Sequence, residues 1–249
     1  MLLLLPWLLL TTAAALTSHA PMRVLETPTL DEIDACATTM CGGFWKTSQL
    51  APAQIAALHR TQADDFRTRF AGKRRMRGAL LALPDDEGVA AMASLELGLI
   101  DVVTRTVLPR DDAERKFIKR IERLTPRDRN ALLREPVQDM CAALFDGNVR
   151  IVPLVSNVAV RPAARRRGLG RHAMRACADL AIAWDYDEVV LEVEAANHAA
   201  CALYEALGFQ ELWRDTRSAL AIEPAVKEGP PLRRRPDVEH VCMWRGELN

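Results

Sequence analysis

The stretch VAVRPAARRRGLGRHAMR, Val158 to Arg175, decides how this chain is read. An apolar, β-branched run ends in a turn carrying six arginines, two glycines and no acid, and a helical pattern begins directly after it. Gly168 and Gly170 have no side chain to hold an anion away from the backbone, the first N–H groups of a helix point outward unpaired, and the helix dipole favours negative charge there. The arginines add charge-assisted bonds. An RRR run alone reads as a solvated basic turn; glycines, arginines and helix start together point to a pyrophosphate.

Working outward, IVPLVSNVAV before the turn is a strand by its β-branched content, and Met174, Cys177, Leu180, Ala181 and Trp184 after it keep helical spacing to near Asp185. EVVLEVEA (Glu188 to Ala195) is the next strand. Asn197 is placed to cap a helix through Leu207, and Gly208 to end it. Upstream, Met22 to Pro28 predicts a strand and TLDEIDACATTM a helix capped by Thr29. A longer helix is expected over 51–71, with Ile55, Leu58, Phe66 and Phe70 on one stripe and Gly72 as its stop. GALLAL and VAAMASLEL, separated by PDDEG, predict a hairpin. Residues 110–145 predict an insertion of two helices around Pro126, its charge a solvated face.

The chain has 249 residues, 49% of them hydrophobic and 27% charged, with a formal net charge of zero. That is a globular composition, and the basic turn is a local feature rather than part of a nucleic-acid-binding charge. Six cysteines lie far apart without CxxC or paired-histidine spacing, so no metal site is expected and each reads as a small buried apolar residue.

Which diphosphate the turn holds has two answers at this level. GLGRHA (Gly168 to Ala173) satisfies the dinucleotide pattern GxGxxA, and Glu194 follows at about the 20-residue distance expected of a ribose-binding acid. Against that oxidoreductase reading, RPAARRR puts seven residues between Val160 and Gly168, and only 55 residues follow Glu194, too few for the rest of a doubly wound sheet. A nucleotide triphosphatase loop fails because Arg171 and His172 stand where Lys and Ser or Thr are needed.

RRRGLG (Arg165 to Gly170), at its distance from SNVAV, resembles the pyrophosphate motif [QR]xxGx[GA] of the GNAT superfamily of acetyl-CoA-dependent N-acetyltransferases. LEVEAANHAACALYEALGF (Leu191 to Phe209) is similar to the second half of that domain, especially in ribosomal-protein alanine acetyltransferases, and SNVAVRPAARRRGLG is similar to plant and algal plastid protein acetyltransferases. The match covers about 153–211, with a looser fit over 22–97 and HVCMWRGEL as a closing strand.

The resemblance implies an α/β (α+β) GNAT fold, a mixed, mostly antiparallel sheet splayed between its fourth and fifth strands, in one domain over 21–249 with its cofactor core at 151–211. It implies that Val158, Ala159 and Val160 meet the pantetheine through their backbone. The turn residues Arg165, Arg166, Arg167, Gly168, Leu169, Gly170 and Arg171 hold the pyrophosphate, and Asn197 contacts the cofactor arm. Tyr204 would give a proton to the departing thiolate; Glu192, twelve residues earlier, would be the base, with Glu194 on the same strand face as fallback. Acetyl-CoA and a protein or peptide amine, an N-terminus or a lysine, are the implied partners, with a small amine as the alternative. A non-catalytic acetyl-CoA-binding module stays open beside the enzyme. The 110–145 insertion and EPAVKEGPPLRRRPD have no counterpart in a minimal member and are expected to border the acceptor side.

The run Leu2 to Leu16, followed by a Ser18-x-Ala20 pattern, predicts a cleaved leader over 1–20, with no stable membrane span after its removal. It implies the secretory pathway, with a plastid reached by that route or, if the leader is a gene-model artefact, the cytoplasm as alternatives. A secretory route would permit disulfides among the six cysteines.

Overall fold

The structure, a computed structural model, describes residues 19–45, 47–72, 74–145, 147–216, 222–224, 232–235 and 237–248. The leader run and much of the Pro-rich basic segment near the C-terminus lie outside these residues.

Strand β1 (Arg23–Leu25) leads into α1 (Leu30–Phe44) through a capping box, in which the Thr29 hydroxyl accepts from the Glu32 N–H and the Glu32 carboxylate accepts from the Thr29 N–H. Helix α2 (Pro52–Phe70) buries Leu58, Phe66 and Phe70 on the expected stripe, and Gly72 follows at φ 100°. The hairpin forms from β2 (Gly78–Asp85) and β3 (Gly88–Asp101); the short β4 (Thr106–Leu108) folds back on the end of β3.

The insertion holds three helices rather than two: α3 (Arg110–Ile121), α4 (Pro126–Leu132) and α5 (Val137–Leu144). Pro136 divides the second segment, because proline excludes the helical conformation from the residue before it and brings no N–H of its own. Ala113, Phe117, Met140, Cys141 and Leu144 are buried in the main core, so the insertion is part of the body of the fold.

Strand β5 (Val149–Val160) precedes the basic turn, and α6 (Leu169–Ala183) begins at its end. Asp185 takes the left-handed conformation at φ 68° and turns the chain into β6 (Val189–Glu194). The chain continues through α7 (His198–Glu205), β7 (Gln210–Asp215), the short antiparallel pair β8 (Ile222–Pro224) and β9 (Leu232–Arg234), and β10 (His240–Arg245).

The main sheet has the order β1-β2-β3-β5-β6-β10-β7, with β4 beside β3. All its pairs are antiparallel except β5 with β6. A doubly wound dinucleotide sheet is mostly parallel, so this topology removes the oxidoreductase reading. Instead it is the mixed, mostly antiparallel GNAT arrangement.

Candidate active site

The parallel pairing of β5 with β6 is confined to Leu154–Val190 and Val155–Leu191. β5 runs on to Val160 and β6 to Glu194, so beyond these two pairs the fourth and fifth strands of the sheet path part. The cause is local to β5. Ser156 still faces Ser94 on β3, but Ala159 faces Met92, so three steps on β5 match two on β3. Asn157 sits in this bulge at φ 54°, and a bulge bends its strand and raises its twist.

Polar groups pin the bulge. The Ser94 and Ser156 hydroxyls are 2.7 Å apart, the Asn157 amide donates to Ser94 Oγ at 3.0 Å, and Arg69 donates to Ser156 Oγ at 3.3 Å and to the buried Glu96 carboxylate at 2.9 Å. Burial leaves such groups no alternative in water, which makes the network selective for this one backbone path.

Where the strands part, a cavity of about 920 Å³ opens. Ser156–Val160 line one wall and Leu191–Glu194 the other; the basic turn closes one end and α7 contributes Asn197, Leu203 and Tyr204. Among the residues expected to hold a cofactor, Val158, Ala159, Val160, Arg165, Arg166, Gly168, Leu169, Gly170, Arg171 and Asn197 all line it, and Arg167 does not. Sequence reasoning missed Met40, Phe44 and Trp45 at the end of α1 and His240 on β10. No residue of the 110–145 insertion lines the cavity, which corrects its expected place beside the acceptor: α3 and α5 pack in the same core as α6. Of the C-terminal segment expected there, Arg235 is the described residue on the cavity wall.

The turn has the backbone of an anion site. Arg166 at φ 64° and Gly168 at φ 81° are left-handed, the kind of conformation that gathers successive N–H groups into a nest, and Gly168 is the N-cap of α6. Arg165 ties the turn inward, donating through Nη2 to the Gly43 carbonyl at 2.6 Å and through Nε to the Val160 carbonyl at 3.3 Å. Gly170 lies against Leu203 of α7, where a Cβ would stand 3.2 Å from Cδ2. A diphosphate-bearing ligand fits these residues, with its remaining length along the open edges of β5 and β6.

Strand alternation divides the site between two faces of the sheet. Leu191 and Val193 point into the core containing α6 and Tyr204, and Glu192 and Glu194 point to the other face. The Tyr204 ring packs on Phe209 with centroids 5.8 Å apart and is 8% exposed; its hydroxyl has no hydrogen-bond partner among the described residues. Burial pushes its pKa well above the ordinary phenol value, with Cys177 and Cys201 adding to the rise, so the O–H is kept. On the far face Glu194 Oε2 accepts from Arg235 Nη2 at 2.6 Å. Asn197 caps α7, its side chain accepting from the Ala200 N–H at 3.2 Å.

Residues 140–209 match the acetyltransferase (GNAT) family. That stretch belongs to the GNAT acetyltransferase family. Two curated relatives match part of the chain: N-alpha-acetyltransferase 30 of Xenopus laevis, 42% identical over 55 residues, which are 22% of this chain and 20% of that protein, and the [ribosomal protein bS18]-alanine N-acetyltransferase of Salmonella typhimurium, 47% identical over 55 residues, 22% of this chain and 37% of that protein. The matched stretch thus spans about a fifth and somewhat over a third of their lengths. A solved structure of the Escherichia coli ribosomal-protein-S18-alanine N-acetyltransferase is 17% identical, covering 91% of this chain and 94% of that one at a TM-score of 0.46. The six cysteines are free and all but Cys201 are buried. Among the described residues, no helix is long and apolar enough to cross a membrane.

Proposed function

We propose that this chain transfers an acetyl group from acetyl-CoA to a primary amine of a protein, an N-terminus or a lysine, in a ternary complex. The observation that carries the reading is the parting of β5 from β6 above an anion-binding turn, which provides one continuous cleft for a long diphosphate ligand with a reactive end. The names of the two curated relatives, one an N-alpha-acetyltransferase and one acting on a ribosomal-protein alanine, support a protein amine over a small molecule.

Bound acetyl-CoA would supply an activated thioester. The chain's own residues do the rest. N–H groups from Arg166 to Arg171 hold the pyrophosphate, and backbone groups of Val158 and Val160, on the stretch of β5 that has left β6, orient the pantetheine and polarise the thioester carbonyl. Tyr204, keeping its proton in the core, is the acid for the departing sulfur. On the opposite face Glu194 is held by Arg235, and Glu192, twelve residues before Tyr204 and on the cavity wall, is the carboxylate assigned to the amine. Acid and amine therefore approach from opposite sides of the sheet through the gap between its strands.

Calorimetry with acetyl-CoA, CoA and NAD tests the cofactor, and mass spectrometry of peptide libraries and small amines tests the acceptor. Acetyl-CoA and CoA binding without NAD binding, with acetylated peptides, is the expected result. Turnover of small amines alone would refute the protein acceptor, and acetyl-CoA binding with no turnover on any amine would make the chain a binding module.

A further inference from the structure

Helix α1 ends without a cation of its own. It has no basic residue in its last turn, where the final carbonyls carry the negative end of the helix dipole. Arg165 of the basic turn, 122 residues on from Gly43, supplies that cation: its Nη2 donates to the Gly43 carbonyl at 2.6 Å and its Nε to the Val160 carbonyl at 3.3 Å. Both donors belong to one planar guanidinium, so the two bonds fix the end of α1 relative to the end of β5. Gly43 permits the approach, since a Cβ there would stand 3.1 Å from Ala159 Cβ and 3.4 Å from the Val160 carbonyl oxygen.

The part of α1 fixed in this way belongs to the acceptor side of the cavity. Met40, Phe44 and Trp45 line the cavity, and Met40 clusters with Met92 of β3. Met92 and Ile100 share one face of β3 by alternation, and Ile100 clusters with Val190, which shares its face of β6 with Glu192. The end of α1 therefore stands on the face of Glu192 and Glu194, with α6 and Tyr204 on the other. Its ring at Phe44 is half exposed, an apolar surface open to a ligand on that face.

We propose that Arg165 is a positioning residue for the acceptor and not a ligand of the pyrophosphate; the proposal rests on the acetyltransferase reading. Its guanidinium is committed to two carbonyls, and the phosphates are left to the left-handed nest at Arg166 and Gly168 and the start of α6. By capping α1 it sets the distance of the Met40, Phe44 and Trp45 wall from β5, and that distance is the width available to the residue that carries the reacting amine.

Calorimetry on the full chain gives the acetyl-CoA dissociation constant, and initial rates at saturating acetyl-CoA, with the library peptide that the wild type acetylates best, give kcat and KM. Arg165→Gln removes the charge and shortens the reach. It is expected to raise the peptide KM about 10-fold, while the acetyl-CoA dissociation constant stays within a factor of about two of wild type from low to high salt. Arg165→Lys keeps a cation at the end of α1 and should recover part of the loss in KM; if the glutamine variant misfolds, the lysine variant carries the same comparison. A phosphate ligand gives the reverse, acetyl-CoA binding weakened most at low salt with the peptide KM kept, and that result overturns the proposal. Equal loss of both affinities, or loss of neither, overturns it too. A wild-type chain that turns over no amine overturns the acetyltransferase reading and this proposal with it, and is seen before any variant is made.

Discussion

Arg235 Nη2 lies 2.6 Å from Glu194 Oε2, so this carboxylate on the far wall of the cavity is neutralised by a guanidinium. Both partners are about one-third exposed, and pairs of this kind contribute only about 0–1 kcal/mol. Arg235→Ala should therefore leave the urea midpoint nearly unchanged. It adds one net negative charge to the cavity, so the KM of lysine- and arginine-containing peptides should fall a few-fold at low salt. Repeating the kinetics at high salt checks the cause, because screening should erase the difference.

Tyr204→Phe removes one oxygen from a buried ring and keeps its packing on Phe209. A rate loss of about 100-fold or more in kcat is expected, with acetyl-CoA affinity unchanged within a factor of about two. Single-turnover kinetics and calorimetry separate the two quantities. An unchanged kcat would remove Tyr204 from the chemistry.

Gly168 stands at φ 81° as the N-cap of α6. An alanine there must adopt the left-handed conformation, at a cost of about 1–2 kcal/mol, or shift the turn. Gly168→Ala should lower the melting temperature and weaken CoA binding together. Gly72→Ala, also at positive φ but away from the cavity, should lower the melting temperature alone.

Burial pushes Cys36 and Cys177 up to about 12, and Cys41 and Cys141 up to about 11, from an ordinary value of 9.0. Above that ordinary value the unfolded thiols ionise while the folded ones keep their protons. The unfolded chain then binds fewer protons than the native one, and stability falls as pH rises. The urea midpoint should hold up to about pH 9 and drop between about pH 9 and 12. Cys36→Ala should make the decline shallower.

The left-handed basic turn, its helix and the Asn197 cap were legible in the sequence because each depends on neighbours within a few residues: a left-handed glycine, a helix start, a side chain reaching three residues on. The third helix of the insertion was missed at Pro136, where a single proline outweighed a continuous helical pattern. The place of that insertion was missed for another reason. Charge made it look like a solvated addition, whereas Phe117 and Met140 send it into the main core. His240 on the cavity wall was missed as well. It lay in a stretch already read as a strand, but nothing local says that β10 slides between β6 and β7.

The sequence by itself determined the make-up of the basic turn, the two-face alternation of Glu192 and Leu191, and the family that residues 140–209 match, since these follow from residue type and short spacing. Tertiary structure alone decided where β5 leaves β6, that Arg235 captures Glu194, and that His240 closes the far wall. Each of those brings together residues 36 to 46 positions apart, and such pairings are set by the order of strands in the sheet, which no local pattern encodes.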